Sequence, residues 1–334
     1  MQQLPEIPFH EATALQLLSL EPARIGALIR IAERAYGGPA IRVADAVSRR
    51  WLRLAQNPYL AELETISGSI GRPGAHLLNV SYEWACTSST SPDPHGGNRL
   101  LRTLDWRLEG LGRNLVVARQ HGPAGDFYNI TWPGFVGVLT AMAPGRFSVA
   151  INQPPLRRFG LPLPLAWIAN KRRLWTSLAL PPAHLLRKVC EEATCYDEAR
   201  QMLCDTRLCL PVFFTLSGVA AGQGCVIERL ESRCAVHEAP AAIANHWLAL
   251  HEEGGTPRGH DSPGRHRRMC SVMTMPQSDF TWLQPPILTP DTRLVVDANA
   301  ALHRLQVQGW ERHGPVTAIF QLQGHTRSRS SSSS

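Results

Sequence analysis

The chain has 334 residues, of which 44% are hydrophobic and 18% charged, enough for a sizeable core in one large domain or two smaller ones and unlike a disordered chain. Its net charge is +7 and its pI about 9.2, but Lys and Arg are scattered, and no zinc-finger, helix-turn-helix or RNA-recognition pattern is present, so nucleic acid is not the expected partner. No apolar run is long enough to span a bilayer, and the first residues lack the basic and apolar regions of a secretory leader, so the expected compartment is cytoplasmic.

Residues 11 to 66 place apolar side chains at three- and four-residue spacings, which predicts helices punctuated by Pro22 and Gly37-Gly38-Pro39. From Cys86 the texture changes to strands and turns. "SPDPHGGN" reads as a hairpin tip between "ACTSST" and "LLRTLDW". "NLVVARQHG" and "FYNITW" are strand-like, and "FVGVLTAM" and "RFSVAINQ" flank a hairpin turn at Ala143-Pro144-Gly145. "AHLLRKVCEEATCYDEARQMLCDT" predicts a helix, "LPVFFTLSGVAAGQGCVIERL" a strand pair, and "TRLVVDANAALHRLQVQGW" with "GPVTAIFQLQ" a closing set of strands. "HEEGGTPRGHDSPGRHRR" reads as a polar loop, and residues 326–334 as a disordered Ser-rich tail. The order of elements implies an α+β fold with a strand-rich core and helices on its faces.

The eight cysteines read as free thiols. Cys190, Cys195, Cys204 and Cys209 lack a paired C-x-x-C knuckle, so small buried hydrophobes are expected rather than metal ligands. No cofactor is called for. Cys86 is the singular one. It ends an apolar run, and Arg102 and Asp105 lie just past the next turn. A nearby Arg favours the thiolate, the reactive form. A conventional Cys–His pair would have to borrow His237, His246 or His251 from far along the chain, and an inert core cysteine is the competing reading.

"LLNVSYEWACTSST" followed by "LLRTLDW" resembles the acid ceramidase and N-acylethanolamine-hydrolysing acid amidase family, together with the related choloylglycine (bile salt) hydrolases and penicillin acyltransferases. Arg102 and Asp105 stand sixteen and nineteen residues after Cys86, matching the family's spacing of nucleophile, Arg and Asp. "GFVGVLTAMAPGRFSVAINQ", "SGVAAGQGCVIER", "ANHW" and "DSPGRHRR" are similar to later family motifs. Trp106 and Ala244 depart from the family's usual residues at those places.

The resemblance implies an N-terminal-nucleophile (Ntn) hydrolase fold, an αββα sandwich of two largely antiparallel sheets covered by helices. It implies a propeptide-like helical region over residues 1–75 and a catalytic domain over 76–325. Cleavage of Ala85–Cys86 would give Cys86 a free α-amine as its own base, which answers the missing histidine. Arg102 would then sit beside the thiolate, Asp105 would hold the α-amine, and Asn245 would donate to the oxyanion. Arg265, chosen over Arg267 and Arg268, would complete the network. Trp132, Phe135, Val136 and Leu139 would form an acyl pocket. The implied substrate is a small, amphiphilic N-acyl amide, cleaved by hydrolysis or acyl transfer. An inactive relative that binds an acyl ligand or a protein, and a basic nucleic-acid binder, are the alternatives.

Overall fold

The computed structural model describes residues 3–81, 83–157, 159–251, 255–275 and 279–322; the expected Ser-rich tail lies outside them. Strand β1 (Phe9–Glu11) and helix α1 (Gln16–Leu20) precede helices α2 (Pro22–Tyr36), α3 (Gly38–Leu54), α4 (Leu60–Ile70) and α5 (Ala75–Asn79). Then come β2 (Ala85–Pro92), β3 (Asn98–Asp105), β4 (Val116–Gly122), β5 (Gly125–Thr131), β6 (Thr140–Ala143) and β7 (Phe147–Asn152). Helices α6 (Leu163–Thr176), α7 (Pro182–Glu192) and α8 (Tyr196–Asp205) lead into β8 (Val212–Gly218), β9 (Gly224–Arg229), β10 (Cys234–Glu238) and β11 (Ala241–Ile243). Helix α9 (Ser262–Val272) precedes β12 (Thr292–Asn299), β13 (Arg304–Glu311), β14 (Gly314–Pro315) and β15 (Phe320–Leu322).

The strands form two sheets. One runs β1-β4-β5-β6-β7-β8-β9-β10; the other runs β11-β2-β3-β12-β13-β14, with β15 on β13. All pairings are antiparallel except β1 with β4. Alternation along the strands explains the layering. Val149 and Leu216 join Leu185 and Val189 of α7 in the main core. Asn152 and Thr215 turn the other way and bond Ser88 of β2 across the sandwich. Helix α9 covers the far side of β2 and β11, where Met269 packs with Leu101 and Val295. The fold is therefore an α+β sandwich with helices outside two antiparallel-rich sheets. Among the described residues no helix is long and apolar enough to cross a membrane.

Three local expectations need correction. The helix predicted over 183–206 is two helices, α7 and α8, broken where Thr194 turns its N–H and hydroxyl to Glu198 at 2.8 and 2.7 Å. Cys195 sits at that break and is exposed, while Cys190 and Cys209 are buried. The strand expected from Phe135 begins only at Thr140, because side chains take the earlier backbone groups: Asn79 accepts from Val136 N–H, and Arg187 donates to its carbonyl. The loop expected over 251–268 contains the first turns of α9, capped by Asp261, whose carboxylate accepts from Gly264 N–H at 3.0 Å.

His184 illustrates how burial writes pH dependence into this core. It is fully buried, and Asn57 lies 2.9 Å from its Nδ1. Tyr59 N–H donates to the Asn57 carbonyl oxygen, so the Asn57 amide donates and the imidazole is neutral, with its proton on Nε2. Burial, followed by Arg187, pushes its pKa from 6.5 down to about 3. A depressed folded pKa means stability present above pH 6.5 and lost as pH falls towards 3, about 5 kcal/mol across the whole window. His184→Gln is expected to flatten that part of the melting-temperature profile, read by thermal unfolding between pH 7 and 4.

Candidate active site

Sheet register assembles the site. β2 and β3 pair without a shift, Ala85 opposite Asp105, Cys86 opposite Leu104 and Ser88 opposite Arg102. Arg102 and Asp105 therefore stay on opposite faces of β3. Arg102 shares the inter-sheet face with Cys86 and donates to its Sγ at 3.2 Å. It also donates to the Ile151 carbonyl at 2.9 Å and to Leu139 O and Thr140 Oγ1. Asp105 shares the outer face with Ala85. It accepts from Thr292 Oγ1 at 2.8 Å, at the point where β12 shifts register against β3.

Asn245 arrives by the same logic. β11 pairs β2 with Ile243 opposite Ser88, so two residues further on Asn245 stands opposite Cys86. Its Oδ1 accepts from Cys86 N–H at 3.0 Å, and its Nδ2 donates to the Gln153 carbonyl at 2.7 Å. Arg265 is the residue that α9 turns inward; Arg267 and Arg268 are exposed. The Arg265 guanidinium is fully buried and donates to Cys86 O at 2.6 Å, Thr87 Oγ1 at 2.9 Å and Asn245 Oδ1 at 2.9 Å. It lies 3.7 Å from Asp105.

Two expected contacts differ in this uncut chain. Asn245, not Asp105, meets the Cys86 nitrogen, because Asp105 lies across the strand pair beside Ala85. The Asn245 amide that would serve an oxyanion donates instead to Gln153. Nor do the three candidate histidine side chains take part: His246 Nδ1 is engaged by Ser262 Oγ at 2.8 Å, His237 faces Glu228 at 3.5 Å, and His251 is exposed.

Burial pushes the Cys86 thiol up, opposed first by Arg102, while Asp105 adds to the rise. Burial likewise raises Asp105 to about 6, with Arg265 and Thr292 opposing. Burial lowers Arg265, and Asp105 opposes. The site thus holds a thiol kept neutral in the uncut chain beside two cations that would stabilise its anion.

Trp132 and Phe135 line an apolar cavity of about 120 Å³ between α2 and the loop at Pro133-Gly134, with Trp106 in its wall. Val136 and Leu139 are not among its lining residues; both side chains are buried in the main core. Sequence reasoning missed Asn152 and Gln153. Asn152 accepts from Ser88 at 3.0 Å and donates to the carbonyls of Ile243 and Ala244 at 3.3 Å, tying the Asn245 segment to the Cys86 strand. Two amides ahead of Pro154-Pro155, at the end of a strand, were the available signal.

No protein-family model matches the chain. It is 31% identical to acid ceramidase of Bos taurus over 214 residues, 58% of this chain and 52% of the relative. It is 29% identical to acid ceramidase of Homo sapiens over 213 residues, with the same shares. An N-acylethanolamine-hydrolyzing acid amidase ortholog of Caenorhabditis elegans superposes with a TM-score of 0.50 at 19% identity, over 65% of this chain and 94% of that one. The chain is a relative of the acid ceramidases. Its fold is that of the Ntn hydrolases, and it spans about half the length of the curated relatives it matches.

Proposed function

We infer that this acid ceramidase relative is a cysteine amidase that cleaves the amide of an N-acyl amine after cutting itself at Ala85–Cys86. The observation that carries the reading is the meeting of Arg102, Asn245 and Arg265 on the sulfur, nitrogen and carbonyl of one residue, Cys86, from widely separated parts of the chain. In self-cleavage the Cys86 thiol adds to the Ala85 carbonyl, the C–N bond breaks, and water splits the resulting thioester. That leaves a carboxylate on Ala85 and a free amine on Cys86. With a pKa of roughly 7.7–8.0 when unperturbed, this amine takes the thiol proton and later delivers it to the leaving amine. The thiolate attacks the substrate carbonyl beside Arg102, the amine departs, and water or an acyl acceptor resolves the thioester. Once the Cys86 nitrogen is no longer an amide, Asn245 is free to turn its amide to the oxyanion, and Asp105, with Arg265, lies within the same buried network to hold the ammonium.

Helices α2–α5 then belong to a front piece over residues 1–85 that stays as one wall of the apolar cavity, and the remainder is the catalytic part.

The test is release of laurate from N-lauroyl amides by the matured protein, with the lauroyl thioester trapped on the fragment that begins at Cys86. Absence of both laurate and adduct would overturn the reading.

Gly259 bears on the cleavage step. It lies at φ +70°, and a Cβ there would come 2.5 Å from Ala85 Cβ and 3.1 Å from Arg265 Nη2. Gly259→Ala is expected to cost about 1–3 kcal/mol in displaced neighbours and to slow self-cleavage, followed as loss of the full-length mass with time. An unchanged rate would mean that the placement of Ala85 does not limit the step.

A further inference from the structure

Cys204 belongs to the run of cysteines between 190 and 209, and the fold gives it a partner from outside that run. It stands in the last turn of α8, half-buried, and Cys234 opens β10, exposed. β10 pairs β9 with Cys234 directly opposite Arg229, so the two side chains leave the sheet on the same face. From that face Arg229 reaches α8. Its Nη1 donates to the Leu203 carbonyl at 2.7 Å and its Nη2 to the Thr206 carbonyl at 2.8 Å, and these carbonyls flank Cys204. One buried guanidinium thus sets the end of α8 over the start of β10, and the Cys204 and Cys234 thiols meet there as hydrogen-bonding neighbours.

The surroundings divide the two thiols by role. Burial lowers Arg229, and the groups that oppose are first Cys234, then Cys204, then Asp205. A cation held against two thiols favours a thiolate. Burial, followed by Cys234, pushes Cys204 up to about 12, with Cys225 adding to the rise and Arg229 opposing. Cys204 therefore keeps its proton when its neighbour ionises. Cys234, at the surface, is the thiol that a small reagent reaches; Cys204, behind it, is placed to resolve what forms there.

We propose that Cys204 and Cys234 form a dithiol site that takes a low-molecular-weight disulfide of the glutathione type and closes into a covalent staple between α8 and β10. The Cys234 thiolate attacks one sulfur of the small disulfide, a mixed disulfide forms, and one small thiolate leaves. Cys204 then gives up its proton and attacks Cys234 Sγ, and the second small thiolate leaves and is protonated. Two protein thiols are oxidised to one disulfide, and one small disulfide is reduced to two thiols. Among the described residues β10 is an edge strand, held by β9, and from it the chain runs through β11 to Asn245. The staple fastens that edge. The chemistry needs nothing from Cys86 and is independent of the amidase reading.

The experiment places the full chain in glutathione buffers of rising oxidised fraction, quenches with N-ethylmaleimide and maps peptides by mass without reduction. The expected result is a cross-linked Cys204–Cys234 peptide pair at a lower oxidised fraction than glutathione adducts on Cys195 and Cys270, two other exposed thiols, because closure is intramolecular. Cys204→Ser is expected to stop the sequence at a glutathione adduct on Cys234, and Cys234→Ser to leave Cys204 a free thiol. The stapled protein is expected to melt about 5 °C above the reduced one, the order for closing a loop of this length in a chain of this size, and neither serine variant to show that rise. Cys204 and Cys234 recovered from the unaltered protein as free thiols, or as two separate glutathione adducts, once Cys195 and Cys270 are fully modified would overturn the site. So would the pairing of either one with a different cysteine.

Discussion

Arg265→Met is expected to lower stability by about 3–5 kcal/mol, the range for breaking a buried charged network by removing one member, and to stop self-cleavage. The guanidinium has no exposure and serves five acceptors: the carbonyls of Cys86, Arg258 and His260, the Thr87 hydroxyl and Asn245 Oδ1. Met fills similar volume but leaves those acceptors dry and unpaired, and it leaves Asp105 without its main stabilising charge. Arg265→Lys restores the charge but not the planar fork, so it is expected to recover part of the stability and little of the cleavage. Chemical denaturation and intact mass read the two effects separately. A Met variant as stable as the parent and still self-cleaving would remove Arg265 from the account.

Cys86→Ser is expected to reduce amide turnover on the order of 10^4-fold or more, the scale for loss of a nucleophile, and to slow self-cleavage strongly, while Cys190→Ser and Cys204→Ser leave both nearly intact once folding is verified. Ser is close in size, but a hydroxyl does not ionise under the influence of Arg102 as a thiol does. Cys190 is equally buried, and burial raises it to about 12. Its neighbouring Arg146 donates to the Cys190 carbonyl at 3.1 Å, whereas Arg102 donates to the Cys86 sulfur itself. Equal loss in a helix variant that remains folded would point to a different centre.

Much of this site was legible in one dimension because antiparallel register is arithmetic. The "SPDPHGGN" turn fixes β2 against β3, and with it Cys86 next to Arg102. The opposite-face placement of Arg102 and Asp105 follows from the two-residue period of a strand and needed no bulge in β3. Asn245 was located by motif alone; its physical cause, the β11–β2 register, becomes visible only once β11 is known to pair there. The corrections have a common source. Val136 and Leu139 looked like pocket residues, yet their loop is set by Asn79, Arg187 and Arg102 from three other elements, which no local pattern encodes. Likewise α9 was hidden because Pro, Gly and four basic residues read as loop, whereas Asp261 caps a helix and Pro263 is tolerated in its first turn.

The most direct test of the central claim is N-terminal sequencing joined to intact mass on the freshly matured, amide-cleaving protein. The account predicts a new chain beginning Cys86-Thr87-Ser88 and a partner ending at Ala85. An active preparation that consists of one unbroken chain, or that is cut elsewhere with Cys86 still in peptide linkage, would contradict it.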